Sequence, residues 1–361
     1  MVGFEKARAR RILSHDLSAV LVVAGPNFFY LTGKNIKSFE RPLLLLATRD
    51  DCLVVAPKFE EERIADINCG DTILYKDGED PFFFLSPETR SLGIRSKDKI
   101  GLDPNMNIDT YFSVARVLSD FSLVSAKEAI LYERMKKDDY ELESIVKASS
   151  ILDRLFKEAE SMISEGVTEA EVYMNLILLS SKLGADESQL FSVQSGPNTA
   201  LPHHEYSDRV MKKGDLVLLD LALSVDGYYA DLTRVYSLGE PSEEVRRTFE
   251  VVSSAVEKGM SSVKVGLQGN VVDSAVREEI RRNGMENFFT HRTGHGLGIE
   301  VHELPNIAPA SLDTIEERSV FTVEPGVYYA GKFGIRLEVD LIAWKKGIDL
   351  VGEYPLELRI L

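Results

Sequence analysis

The chain has 361 residues, 44% of them hydrophobic and 28% charged, and a net charge of −16 at neutral pH. At roughly 150 residues per domain this length predicts two domains, and the composition is that of a soluble globular protein. The acidic balance argues against a nucleic-acid backbone or an anionic membrane as partner, and no apolar run approaches the ~20 residues of a membrane helix.

The first 17 residues are basic but lack an apolar h-region, so they do not read as a secretory signal. Residues 2–15 have helical character, and residues 19–24 (AVLVVA) read as a buried strand ended by Gly25-Pro26-Asn27. Residues 42–48 and 52–56 predict a hairpin across Arg49-Asp50-Asp51, followed by a helix over 59–67. Short strands are expected at 99–102 and 121–124. Strands alternating with helices imply an α/β layer. Cys52 and Cys69, the two cysteines, make no disulfide framework and suggest a reducing, cytoplasmic location.

The pattern then changes. Residues 138–163 place Leu142, Ile145, Val146, Ser149, Leu152 and Leu155 or Phe156 at helical spacing. The domain boundary is set between residues 126 and 127, giving domains 1–126 and 127–361. Thr168 and Glu171 form a capping-box pattern for a helix closed by Gly184. Ser242 caps a helix over 243–260, and another runs over 270–283 with Gly284 as its stop.

Between these helices lie carboxylates in apolar surroundings. Strands at 216–225 and 228–238 flank Asp226-Gly227, a strong two-residue hairpin signal. That turn puts Asp220 opposite Thr233 and Asp231 opposite Ala222, so the two aspartates are diagonal neighbours on one face, with Cβ atoms roughly 7 Å apart. Glu324 and Glu338 are centred on Gly331 in a glycine-containing turn, and a hairpin there brings them roughly opposite. Arg336 shares a face with Glu338 and is placed to pair with a ligand carboxylate. His295 is bracketed by Gly294, Gly296 and Gly298, which allow close approach and unusual torsions. His302 follows in the same segment, and His203 and His204 lie in a loop ahead of the first carboxylate strand. His15 and His291 read as structural. Buried carboxylates are costly without positive partners. Two divalent cations would offset four of them, with an imidazole as neutral ligand, and two-metal sites commonly hydrolyse their substrates.

The order Asp, Asp, His, Glu, Glu, set in LVLLDLALSVDGYYADLTRVY, RTGHGLGIEVHE, FTVEPGVY and GIRLEVD, resembles the M24 "pita-bread" metallopeptidases. PNFFYLTG and IGLDP near the N-terminus are similar to the creatinase-type domain of the Xaa-Pro dipeptidase (prolidase) and Xaa-Pro aminopeptidase branch. The resemblance implies an α/β (α+β) fold, with a creatinase-like N-terminal domain and a pita-bread catalytic domain. It implies two divalent ions (Mn, Co, Fe or Zn) held by Asp220, Asp231, His295, Glu324 and Glu338, with Asp231 and Glu338 bridging. A metal-activated bridging hydroxide then attacks the carbonyl before proline, Glu324 carries the proton, and His203 and His302 attend the substrate. His203 is preferred to His204 for its distance ahead of Asp220. The implied substrate is a proline-containing dipeptide, or a longer peptide if the enzyme is an aminopeptidase, and the implied assembly is a homodimer. Some prolidases carry an arginine where this chain has Asn306. A metal-free creatinase-type hydrolase and a non-catalytic binding protein on the same fold are the other readings.

Overall fold

The structure, a computed structural model, describes residues 3–37 and 40–361 and divides into two units, Met1–Arg134 and Met135–Leu361. Among the described residues no helix is long and apolar enough to cross a membrane.

The first unit runs α1 (Lys6–Leu13), β1 (Ala19–Val23), α2 (Pro26–Thr32), β2 (Leu44–Ala47), β3 (Cys52–Pro57), α3 (Glu61–Ile64), β4 (Asp71–Tyr75), α4 (Leu85–Ser91), β5 (Lys99–Leu102), α5 (Ile108–Val117), β6 (Ser122–Ser125) and α6 (Lys127–Met135). Its sheet has the order β4-β3-β2-β1-β5-β6. Every residue of β2 and β3 is buried, which is why these strands read as unbroken apolar runs rather than alternating ones. The expected hairpin pairs Leu44 with Val55 and Ala47 with Cys52. The first helix covers a shorter stretch than expected, and Val2, where its prediction began, lies outside the described residues. The helix expected over 59–67 shrinks to a 3-10 turn, Lys58–Glu60, and one turn of α3; neither has a side-chain cap, and between them they bury only Ile64.

The cysteines depart from the expectation of free thiols. Parallel pairing of β3 with β4 sets Leu53 beside Asp71 and brings Cys52 to Cys69, with Cα atoms 5.1 Å apart and the sulfurs bonded. The contact is made by strand pairing across a separation of 17 residues, which local sequence does not reveal.

The second unit opens with α7 (Asp139–Met162) and α8 (Glu169–Lys182), each entered through a complete capping box, Asp138 with Glu141 and Thr168 with Glu171. Helix α7 buries Leu142, Ile145, Leu152, Leu155 and Phe156, each contributing about 1.5–3 kcal/mol when fully covered. Val146, adjacent to Ile145 and so turned away from that stripe, is 47% exposed. Then follow β7 (Glu187–Ser195), β8 (Leu216–Val225), β9 (Tyr228–Ser237), α9 (Glu243–Ser262) and α10 (Gly269–Arg282). The remaining strands are β10 (Gly294–Gly296), β11 (Glu303–Ile307), β12 (Val320–Val323), β13 (Gly326–Tyr329), β14 (Phe333–Arg336), β15 (Val339–Trp344), β16 (Gly347–Val351) and β17 (Arg359–Ile360). They form sheets ordered β17-β9-β8-β7 and β11-β10-β12-β15-β16, with β13-β14 as a separate ribbon. One core packs Leu152, Phe156 and Val172 of α7 and α8 against Leu219 and Leu232. The other packs Val252, Val256 and Val276 of α9 and α10 against Phe321 and Leu341. The unit is thus two helix-pair-and-sheet halves, and the acidic strands line up between them.

Candidate metal centre

Asp226 and Gly227 both have positive φ, 53° and 80°, as a two-residue hairpin turn of type I′ requires. The turn fixes the register of β8 and β9, pairing Asp220 with Thr233 and Ala222 with Asp231. The second hairpin pairs Gly326 with Arg336 and Tyr329 with Phe333 around Gly331, so Glu324 and Glu338 leave its open end on opposing arms. Hydrogen bonds tie that end to the first hairpin: Glu338 N–H donates to Thr233 O at 3.3 Å, Thr233 Oγ1 to Glu338 Oε2 at 2.7 Å, and Arg234 Nη1 to Glu338 O at 2.7 Å.

His295 enters from β10. A Cβ on Gly294 would sit 2.0 Å from Thr322 O, and one on Gly296 2.0 Å from Leu304 O. Neither glycine has positive φ, so close backbone approach, and not the unusual torsion expected, demands glycine at both. His295 Nδ1–H donates to Gly296 O at 3.2 Å, leaving Nε2 directed at Glu324 Oε1 (3.2 Å) and Asp231 Oδ2 (4.0 Å). One donor atom each from Asp231, His295 and Glu338 falls within 4.8 Å of the others.

The charges do not balance within the protein. Burial, then repulsion from Asp220, Asp340 and Glu324, pushes Asp231 well above the usual carboxylate range. Burial and the neighbouring acids do the same to Glu338. Burial opposes ionisation of Glu324 as well, but its bond to His295 holds it low. Asp340, which accepts the Asp231 N–H at 2.9 Å, is pushed up to about 8 by burial. Asp231 Oδ1 is buried with no hydrogen-bond partner. An oxygen-rich donor set with one imidazole, an orphaned carboxylate oxygen and excess buried negative charge is what divalent cations fit.

Arg336 is the cation built into this cluster. It is 3% exposed, binds Asp220 through Nη2, donates from Nη1 to Tyr328 Oη at 2.9 Å, and reaches Thr233 Oγ1 from Nε at 3.4 Å. Tyr328 in turn meets His291 Nε2 at 2.8 Å. Sequence reasoning missed Tyr328 and treated His291 as structural. A signal was present: Tyr328 lies four residues from Glu324 along an extended segment, hence on the same face.

The two adjacent histidines have different surroundings. His204 Nε2 lies 3.0 Å from Glu169 Oε2, deep in a polar network, whereas His203 is exposed at the cavity. His302 stands edge-on to His295, ring centroids 4.3 Å apart at 86°. Burial and the adjacent His295 push it down to about 4, so it is neutral near pH 7. All the site residues expected from sequence line one cavity of about 420 Å³, joined by His204, His291 and Arg292.

Buried carboxylates and a histidine converging between two helix-and-sheet halves define a metallopeptidase. Residues 143–343 match Metallopeptidase family M24, residues 6–136 match the Creatinase/Prolidase N-terminal domain, and the chain belongs to that family. It is 30% identical to the uncharacterized peptidase YqhT of Bacillus subtilis, over 96% of both chains. Among solved structures it resembles a prolidase from Thermococcus sibiricus, with TM-score 0.92 and 32% identity over 99% of this chain and 98% of that one. It also resembles an X-Pro aminopeptidase from Thermotoga maritima, with TM-score 0.88 and 30% identity over 99% of each. The protein is accordingly a hydrolase of a divalent-metal peptidase family, and its substrates are peptides.

Proposed function

We propose that the protein is an Xaa-Pro dipeptidase working at a dinuclear divalent centre. Asp220, Asp231, His295, Glu324 and Glu338 would hold the ions. The observation that carries the reading is the joining of the two acidic hairpins and His295 around the orphaned Asp231 Oδ1 in one cavity. When bound, the ions supply Lewis acidity and lower the pKa of water. The chain supplies the rest. Glu324 takes a proton from the attacking water and delivers it to the leaving nitrogen, a role open to a carboxylate at the cavity wall. His203 and His302 face the same space and steady the carbonyl oxygen as its charge grows. Arg336 holds Asp220 and Tyr328 in place. An Xaa-Pro bond has no N–H and has access to the cis form, so a dedicated cavity is physically sensible.

The likeness to an X-Pro aminopeptidase keeps a second reading in view, cleavage of longer peptides. One comparison separates them: turnover of Leu-Pro against Leu-Pro-Pro by the chain loaded with Mn²⁺ or Co²⁺. The dipeptidase reading expects Leu-Pro to be preferred, and turnover of the longer peptide alone overturns it. Asp231→Asn and Glu338→Gln are expected to lose metal and activity together, and full activity in either removes the ligand assignment. A homodimer belongs to the same reading and is tested by sedimentation.

A further inference from the structure

The cavity wall holds two arginines of opposite character. Arg336 is committed to Asp220 and Tyr328. Arg292 has no carboxylate within 4.0 Å among the described residues, and its guanidinium donates from Nη1 to Asn306 Oδ1 at 2.9 Å. Asn306 is itself fixed. Its backbone N–H and its Nδ2 both donate to Asp313 Oδ2, at 2.9 and 3.0 Å, which leaves Oδ1 turned to the arginine. The β10–β11 ladder pairs Asn306 with His295, so this anchor sits directly across from a proposed metal ligand. The guanidinium is half-buried, and burial pushes its pKa down while Glu324 pulls it up. A cation partly removed from water with only a neutral partner is poised for an anion.

A dipeptide brings that anion to the site. Its carboxylate lies one residue beyond the scissile bond, within about 3.5 Å of chain. In a longer peptide the same position is a neutral amide. We propose that Arg292, positioned by Asn306 and Asp313, binds the free α-carboxylate of a dipeptide substrate and so sets the length of peptide accepted. The proposal rests on the dipeptidase reading above.

The test compares an acid with its amide, Leu-Pro with Leu-Pro amide, on Mn²⁺-loaded wild type, Arg292→Gln and Arg292→Lys. Calorimetry of L-proline and L-prolinamide with the metal-free proteins supplies a readout that needs no turnover. Charge-assisted hydrogen bonds of this kind correspond to about 10- to 100-fold in affinity. Wild type is expected to prefer the acid by that factor in kcat/KM, Arg292→Gln to lose the preference through KM, and Arg292→Lys to keep part of it. Proline binding falls by a similar factor in Arg292→Gln, and Asn306→Ala raises KM for the acid more than it lowers kcat. Equal losses for acid and amide, a wild type indifferent to the carboxylate, or proline binding unaffected by Arg292→Gln each overturn the proposal. Failure of the proline reading looks different: wild type then cleaves Leu-Leu in preference to Leu-Pro, and the acid–amide comparison on Leu-Leu still decides the role of Arg292.

Discussion

Glu169, the first residue of α8, offers a sharp test of how the His203 loop is held. Its side chain is fully buried. Oε1 accepts from Ser195 N at 2.6 Å, Ser195 Oγ at 2.7 Å and Asn198 Nδ2 at 3.0 Å. Oε2 accepts from Ser207 Oγ at 2.6 Å and lies 3.0 Å from His204 Nε2 and 3.1 Å from Asn198 Nδ2. One carboxylate therefore gathers both ends of the segment carrying His203. In Glu169→Gln the carbonyl oxygen can keep the Ser195 contacts, and Ser207 and His204 can reverse to accept. Asn198 cannot, so one donor faces another, at about 2 kcal/mol. Glu169→Ala strands the buried Ser195 N–H and leaves a void as well, at about 5 kcal/mol. Urea unfolding followed by the fluorescence of Trp344, the only tryptophan, reads the second unit. Burial alone would raise Glu169, but bonds from Ser207, His204, Ser195 and Asn198 bring it below its ordinary 4.5. Its contribution is therefore complete above pH 4.5 and fades as pH falls through the lower folded value, so the gap between wild type and Glu169→Gln narrows there. With metal bound, kcat falls in both variants while metal content is retained. A Glu169→Ala protein within about 0.5 kcal/mol of wild type, a limit set by ordinary surface substitutions, would refute the account.

Metal removal exposes the crowded carboxylates. Asp231, Glu338 and Asp340 bind protons more readily folded than unfolded, Asp340 near pH 8. The metal-free protein is expected to gain stability as pH falls from about 8 toward the ordinary 3.8 of aspartate, and Asp231→Asn to melt higher than wild type at pH 8. A flat melting profile after chelation counts against this. In the first unit, Cys52→Ala with Cys69→Ala removes a cross-link over a 17-residue separation, which corresponds to about 3 kcal/mol. Thermal unfolding and thiol titration check it, and two freely titrating thiols in the native protein contradict the bond.

What the sequence determined by itself is local in origin. Asp226-Gly227 admits one tight turn, and a period of two then places Asp220 and Asp231 on a shared face. Symmetry about Gly331 does the same for Glu324 and Glu338. Apolar spacing located α7, and the Thr168–Glu171 capping box located α8, because such signals act within one or two turns. The ligand candidates were legible for that reason, each lying on a short element that carries its own register. Tertiary structure decided what depends on separate elements meeting. It turned His204 into the Glu169 network, laid Asp340 against the Asp231 N–H, joined Cys52 to Cys69, and committed Arg336 to Asp220 while leaving Arg292 anchored on a neutral side chain. Such contacts span from 14 to 116 residues of chain, and their partners are chosen by packing and burial, which no local pattern records.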